Sequence, residues 1–68
     1  MKLINCEWNA HLGKPQTTYL ADTLVDVNLE KVDANSAEGS IIIVISENSS
    51  YMKNTKGKWQ KIGSTEVI

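Results

Sequence analysis

The segment SIIIVIS, residues 40–46, contains five β-branched aliphatic residues in succession. A run of this length is too short for a stable helix, and β-branched side chains fit a pleated sheet, so it predicts the central strand of a β-structure. Successive side chains of a strand point to opposite faces, which divides the run into two sets: Ile41, Ile43 and Ile45 on one face, Ile42 and Val44 on the other. Both faces of this strand therefore have to be shielded from water.

The chain has 68 residues, enough for one domain. A single core of this size supplies only about 3 to 5 kcal/mol of stability without a disulfide, a metal or a partner. Cys6 is the one cysteine and His11 the one histidine, so the sequence offers neither an internal disulfide nor the three or four ligands of a zinc site. Oligomerisation, or incorporation into a larger assembly, is the remaining source of stability.

The charge composition points to no particular class of partner. The formal net charge of -1 creates no strong field towards nucleic acid or a membrane. The first residues lack the apolar run of a signal peptide, and no run is long enough to cross a bilayer, so we expect neither. The unpaired cysteine predicts a reducing compartment. Acidic residues in the middle of the chain and lysines in its last hairpin fit either head-to-tail docking of copies or simply solvated faces.

The N-terminal half is predicted to contain one strand, a loop and an ambiguous segment. Leu3 to Trp8 alternates as a half-buried strand does, with Ile4, Cys6 and Trp8 on one face. Residues 9–16, NAHLGKPQ, concentrate turn formers and predict a loop. Residues 17–32 fit both a strand alternation and a helical stripe. Their β-branched content favours a strand, and a helix stays open.

The C-terminal half is predicted to be a three-stranded meander. A polar turn at residues 33–39 leads to the central strand, and two turns separate it from strands at residues 51–54 and 59–62. The predicted fold is all-β, a small antiparallel sheet of four to five strands that the N-terminal strands close into a small barrel or sandwich. We expect a single domain over residues 1–62 and a flexible tail over residues 63–68.

The two faces of the central strand pose a problem for a chain of this size. One face of a small antiparallel sheet usually meets water, and exposing Ile42 and Val44 would forgo about 1.5 to 3 kcal/mol each. Either the N-terminal segments fold over these residues, or a second copy or a larger particle covers them. The two arrangements can hold together in part, and we expect a partner to provide some of the cover.

Residues 39–62 resemble a β-meander module of small bacteriophage and prophage-encoded proteins. The matching residues are Gly39, Ser40, Ile41, Ile43, Ile45, Glu47, Tyr51, Gly57, Lys58, Trp59 and Ile62. Where the family has an Asp-Thr-Gly turn, this chain has SENSS. The family comprises virion-associated proteins of the head-fibre, decoration or tail-attached type, often trimeric or otherwise oligomeric. The resemblance implies a β-meander and a role in a phage particle.

No residue pattern predicts catalysis, a metal or a cofactor. Cys6 on the first strand and His11 in the following loop are expected to be a buried thiol and a solvated imidazole rather than a catalytic pair. Four carboxylates would share a face if their segment were helical, and would face water on a strand: Asp22, Asp26, Glu30 and Asp33. We expect no enzymatic activity.

The last hairpin combines lysines with two aromatic residues. Tyr51 and Trp59 lie on neighbouring predicted strands and either pin the hairpin as a cross-strand pair or contact a partner. With the lysines they could form a stacking platform for single-stranded nucleic acid, but the chain has no arginine, the usual residue for bases and phosphates. Nucleic acid is therefore not the expected partner.

The sequence as a whole predicts a non-enzymatic structural or assembly protein of phage type, which packs through its apolar central strand and C-terminal hairpin against itself or a larger virion component. The expected partners are a second copy or a phage structural protein, without a membrane, in the virion or the cytoplasm of an infected bacterial host. The alternative is a monomeric binding module, either a phage regulator of a host protein or a nucleic-acid binder. The predicted partner-binding residues are Ile42, Val44, Tyr51, Lys53, Lys56, Lys58 and Trp59.

Overall fold

The computed structural model describes residues 1–9 and 13–68, which form one mixed five-stranded sheet with a short helix on one face. The strands follow each other across the sheet in chain order: β1 (Lys2–Asn9), β2 (Lys14–Ala21), β3 (Ile41–Val44), β4 (Ser49–Lys53) and β5 (Trp59–Lys61). A 3-10 turn at Leu24–Asp26 and the helix α1 (Leu29–Ala34) connect β2 to β3.

The predicted sheet of four to five strands and its C-terminal meander are confirmed, but the fold is not all-β, because the helix α1 lies on one face, and the sheet differs from the prediction in two ways. The sheet is not antiparallel throughout, because β2 and β3 are parallel neighbours. It is also not closed into a barrel, since β1 and β5 lie at opposite edges. The predicted loop over residues 9–16 falls partly on residues 10–12, outside the described residues, and its last part already belongs to β2.

The segment over residues 17–32, for which a strand was favoured, contains both a strand and a helix. Its first residues belong to β2, and its last residues form the start of α1. The Asn28 side chain accepts a hydrogen bond from the Lys31 backbone N–H at 3.3 Å and caps the helix. Parallel strands cannot be joined by a tight turn, so this segment has to leave the sheet and cross one of its faces.

The crossover residues cover the sheet face that carries Ile42 and Val44, and so form the hydrophobic core. Five core residues are almost inaccessible to solvent: Val32, Ile42, Val44, Tyr51 and Trp59. Leu24, Val27 and Leu29 of the crossover pack against them, as does Tyr19 of β2. The chain itself therefore shields Ile42 and Val44, for which we had expected a partner to provide some of the cover.

A polar cluster fastens α1 to the meander. The Lys53 ammonium donates to the backbone oxygens of Asp33 at 3.2 Å and Ser36 at 2.8 Å, and lies 3.0 Å from the Asp33 carboxylate. The Trp59 indole N–H donates to the same carboxylate at 3.1 Å. A cation at the end of a helix satisfies carbonyls that have no partner within the helix. One lysine thus joins the end of α1 to strand β4.

Buried hydroxyl groups close the junction between β2 and the segment before β3. Thr17, Ser36 and Ser40 are all buried. The Thr17 and Ser36 hydroxyls lie 2.6 Å apart, and the Ser40 hydroxyl accepts from the Thr17 backbone N–H at 3.0 Å while donating to the Ala37 carbonyl at 2.6 Å. Each of these buried groups has a partner, as polar groups in a protein interior require.

The C-terminal residues, predicted to be a flexible tail, are hydrogen-bonded to β5. The Lys61 N–H donates to the Glu66 carbonyl at 2.8 Å, and the Ile68 N–H donates to the Trp59 carbonyl at 3.0 Å. Gln60 and Val67 form an antiparallel bridge. This segment occupies the outer edge of β5.

Among the described residues, no helix is long and apolar enough to cross a membrane.

Gly39, at the entry to β3, is a position where substitution by alanine is expected to destabilise the fold. Its φ is +87°, and a Cβ there would lie 2.7 Å from the Gln16 Nε2 atom, which donates to the Glu38 carbonyl. The left-handed conformation costs a non-glycine residue about 1 to 2 kcal/mol. We expect Gly39→Ala to lower the free energy of unfolding by that amount or slightly more, measured by urea denaturation.

Gly57→Ala is the matched control for this prediction. Gly57 also has a positive φ, +78°, but nothing lies within 4 Å of the position of an added Cβ. The Gly57→Ala variant therefore measures the backbone strain alone, and Gly39→Ala should lower the free energy of unfolding by at least as much. A Gly39→Ala protein as stable as the wild type would contradict the prediction.

Candidate functional site

Four of the seven predicted partner-binding residues lie in the core and cannot contact a partner in the folded chain. Ile42 and Val44 have no accessible surface, while Tyr51 and Trp59 are 3% and 2% exposed. The prediction for Ile42 and Val44 is wrong because α1 and the residues before it cover their face of the sheet. The aromatic pair is buried for the same reason.

The polar atoms of the two aromatic residues also have intramolecular partners. The Tyr51 hydroxyl donates to the Glu47 carboxylate at 2.8 Å, and this hydrogen bond, together with burial, raises the pKa of Tyr51. The Trp59 indole N–H is bound to Asp33. Neither ring offers a face on which a nucleic-acid base could stack. Both side chains hold the meander to the elements around it.

The three predicted lysines are not equivalent. The Lys53 side chain is only 10% exposed and is occupied by Asp33 and Ser36. Lys56 and Lys58 are exposed in the turn between β4 and β5, where their backbone N–H groups donate to the Asn54 side chain at 3.0 and 2.9 Å. Lys61 of β5 is partly exposed but lies 3.7 Å from the Glu66 carboxylate, so the fully exposed lysines of the hairpin are Lys56 and Lys58, in a turn built by Asn54.

The opposite side of the sheet carries an apolar surface, which we call the open face. Two cross-strand rows form it, one from Thr18 through Ile41 and Met52 to Gln60 and one from Leu20 through Ile43 to Ser50, which Ile62 extends. Met52 is 39% and Ile62 54% exposed, and the others are partly exposed. The crossover lies on the other side of the sheet.

The open face, meaning these two rows, carries no charged side chain, and the charged residues Lys2 and Glu7 of the edge strand β1 lie beside it on the same side of the sheet. The members of the open face are five large apolar residues and three uncharged polar ones: Leu20, Ile41, Ile43, Met52 and Ile62, with Thr18, Ser50 and Gln60. A depression of about 190 Å³ lies beside Met52, Gln60 and Ile62. The water-facing side of an antiparallel sheet normally carries polar residues in alternation with the core, so this composition is typical of a surface that is covered in the working state.

Strand β1 is the second unusual feature, because it is long and lies at the edge of the sheet. All of its side chains from Lys2 to Trp8 are exposed, including Leu3 at 46%, Ile4 at 48% and Trp8 at 65%. Among the described residues it pairs only with β2. The sequence predicted this strand but expected one of its faces to be half-buried. An exposed apolar edge of this kind is a template for pairing with another strand.

Sequence reasoning identified neither surface as a site. The alternation did separate the two faces of β3, and Ile41 and Ile43 were correctly grouped, while Ile45, which was grouped with them, lies in the turn after the strand. Which face would be covered depended on whether residues 29–34 became a helix, which the sequence left open. Met52 had a detectable signal, since it alternates with Tyr51 and Lys53 and falls opposite Ile41 once the hairpin register is set.

The residues considered for catalysis or metal binding do not assemble a site. His11 lies outside the described residues, and Cys6 is exposed on β1. Asp33 is engaged with Lys53 and Trp59. Within residues 1–9 and 13–68, no three histidine, cysteine, aspartate or glutamate side chains gather closely enough to hold a metal ion.

Comparisons of the chain with protein-family models, with curated proteins and with solved structures found no match.

Proposed function

We propose that the chain is a non-enzymatic assembly protein whose open face packs against a second copy of itself. The observation that carries this proposal is the uncharged, largely apolar composition of the open face on the side of the sheet opposite α1. An exposed apolar surface of this kind gains free energy when another layer covers it. The central strand supplies Ile41 and Ile43, and the C-terminal hairpin supplies Met52 and Ile62.

A second copy fits the open face better than a charged partner does. The two rows of the open face carry no charge, and the neighbouring Lys2 and Glu7 of β1 have opposite signs, so apolar burial is the main source of binding energy. Two identical apolar faces related by a two-fold axis are self-complementary. A domain this small also gains the most from sharing a core with a neighbour.

The resemblance of residues 39–62 to virion-associated β-meander proteins supports a particle of phage type as the setting. In that setting the chain would work in the virion or in the cytoplasm of the infected host, and the assembled face would contact a structural component of the particle. The basis for this part of the proposal is the sequence resemblance alone.

The alternative, a monomeric module that binds through the lysine-rich hairpin, has less support. Tyr51 and Trp59 are buried, and the ammonium group of Lys53 is held by α1. Lys56 and Lys58 remain, and two lysines in one turn give only a weak, salt-sensitive attraction for phosphates. Lysines at such a position also deter unwanted pairing of strands.

Sedimentation velocity over a range of protein concentrations tests the proposal, with Met52→Lys as the disruptive variant. We expect the wild type to be oligomeric at micromolar concentration. Met52→Lys should raise the dissociation constant about ten-fold or more, because a charge would be buried in an apolar contact and the burial of the methionine would be lost.

Val25→Lys is the matched control. Val25 is 93% exposed in the 3-10 turn, away from the open face, so the same change in charge should leave the oligomer intact. A wild type that sediments as a monomer at all concentrations would overturn the proposal. Equal weakening by Met52→Lys and Val25→Lys would show that net charge, rather than the open face, controls association.

A further inference from the structure

The two edges of the sheet differ in a way that bears on how copies join. At one edge β5 has three residues, and the segment from Glu66 to Ile68 is hydrogen-bonded along it. At the other edge β1 has eight residues, and none of the described residues pairs with its outer side. One edge is blocked by the chain itself, and the other presents a row of backbone donors and acceptors.

We propose that copies also join edge to edge, through antiparallel pairing of β1 with β1 of a further copy, in the register that places Lys2 opposite Glu7. This inference rests on the proposed function as an assembly protein, and adds the geometry of a second contact. The resulting sheet would run continuously through the two edge-paired copies and place their open faces on the same side, where each can pack against a further copy.

An irregularity in β1 supports this register. The pairing with β2 shifts between Leu3 and Asn5, so that Lys2, Asn5 and Glu7 lie opposite alternate residues of β2, namely Leu20, Thr18 and Gln16. These three side chains therefore share one face of the sheet. Leu3, Cys6 and Trp8 lie opposite Tyr19, Thr17 and Pro15, and share the other face.

Residues directly opposite each other in a sheet project from the same face. The proposed register meets this condition, since it pairs Lys2 with Glu7, Leu3 with Cys6, and Met1 with Trp8. The backbone groups follow the same alternation, so paired residues also point their N–H and C=O groups in matching directions. A shift by one residue would place Lys2 opposite Trp8, on different faces.

Charge favours the same register. Lys2 and Glu7 are the charged residues of β1. A two-fold axis relates the two paired strands, so Lys2 of each copy lies opposite Glu7 of the other, once at each end of the paired segment. A register centred on Glu7 also keeps the faces matched, but it pairs fewer residues and puts the two Glu7 carboxylates opposite each other, which is repulsive. The proposed register pairs the strand from Met1 to Trp8 and joins opposite charges.

A charge exchange tests the pairing in the full chain. Lys2→Glu should place like charges opposite each other twice, and Glu7→Lys should do the same, so each should raise the dissociation constant about ten-fold. The double variant Lys2→Glu with Glu7→Lys restores the attraction and should return the constant to within about three-fold of the wild type. Rescue of this kind is expected only if the two residues meet between copies.

A disulfide tests the register directly. Opposite residues of antiparallel strands have Cα atoms about 4.5 to 5.5 Å apart, within the span of a disulfide. Leu3→Cys, in the presence of Cys6, should therefore give a covalent dimer on mild oxidation. The wild type should not, because the two Cys6 residues would be offset along the strands by about 10 Å.

Leu3→Cys with Cys6→Ser is the matched control and should remain uncrosslinked, because its two cysteines are equally offset. The chain could associate and be weakened by Met52→Lys, while the double charge variant shows no rescue and Leu3→Cys forms no covalent dimer. In that case the edge contact is wrong and the proposed function stands. If the chain is a monomer at every concentration, both are wrong.

Discussion

Ile42→Ala is expected to bring the fold close to the limit of its stability. Ile42 has no accessible surface and lies in the core with Val32, Tyr51 and Trp59. Truncating a buried isoleucine to alanine costs roughly 2 to 5 kcal/mol, because the removed groups lose their burial and a cavity remains. A single core of this size supplies only about 3 to 5 kcal/mol. Circular dichroism during urea denaturation should show most of the native transition lost.

Ile43→Ala is the matched control, since it is the next residue in the same strand and undergoes the same change. Its side chain points to the open face and is partly exposed. We expect it to cost about 1 kcal/mol, from lost β propensity and partial burial. It should also weaken association, so both variants should be compared at one low protein concentration. Equal losses of stability would contradict the assignment of the two faces.

The strands were predictable because their signals are local. The β-branched run, the turns rich in Asn, Gly and Ser, and the alternation from Leu3 to Trp8 each specify structure within a few residues. The alternation around Ile42 and Ile43 also separated the two faces of β3. All of this can be deduced without knowledge of which strands become neighbours.

The crossover was not predictable by the same reasoning, because its conformation depends on distant partners. Residues 17–32 carry both a strand period and a helical period, and the structure uses one after the other. The helix forms where Leu29 and Val32 can pack on Ile42 and Val44, which is a tertiary condition. The parallel pairing of β2 with β3 follows from that crossover, so the error in sheet type has the same origin.

The candidate surfaces depend on these same distant contacts. Once α1 covers the Ile42 face, the face of Ile43 becomes the one that is open, and the predicted site moves to the other side of the sheet. The apolar residues that the proposed contact would bury are therefore Ile41, Ile43 and Met52 rather than Ile42 and Val44. The register shift at Ile4 could not be predicted from periodicity either, and it determines which side chains of β1 share a face.

Lys53→Met is the second substitution with a large expected effect. The Lys53 side chain is 10% exposed, and its ammonium donates to two backbone oxygens and to the Asp33 carboxylate. Methionine keeps much of the length and apolar character of the stem but removes all of these hydrogen bonds. Hydrogen bonds of a charged group contribute about 1.5 to 3 kcal/mol. Because Asp33 is half exposed, we expect a loss of about 2 kcal/mol, measured by urea denaturation.

Asp33→Asn separates the charge from the hydrogen bonds. An asparagine oxygen can still accept from Lys53 and from the Trp59 indole N–H, so the geometry is kept while the negative charge is removed. The loss should therefore be smaller than that of Lys53→Met. If Lys53→Met were as stable as the wild type, the lysine would not be fastening α1 to the meander.

The pH dependence of the same pair gives an independent check with a defined sign. The hydrogen bond from Lys53, with further contributions from Trp59 and the lysine charge, outweighs desolvation and lowers the pKa of Asp33 below its ordinary value. The unfolded chain therefore takes up a proton at this carboxyl before the folded chain does. Asp33 stabilises the fold at neutral pH, and this contribution is lost as the pH falls through its folded-state pKa.

The difference in stability between the wild type and Asp33→Asn isolates this contribution, since the other carboxylates titrate in both proteins. We expect the difference to be largest at neutral pH and to shrink towards zero in acid, where Asp33 becomes protonated and resembles the asparagine. A difference that stayed constant with pH would mean that Asp33 acts only as a neutral acceptor. A difference that grew in acid would reverse the sign of the pKa shift and with it the account of Lys53 as a charged anchor for α1.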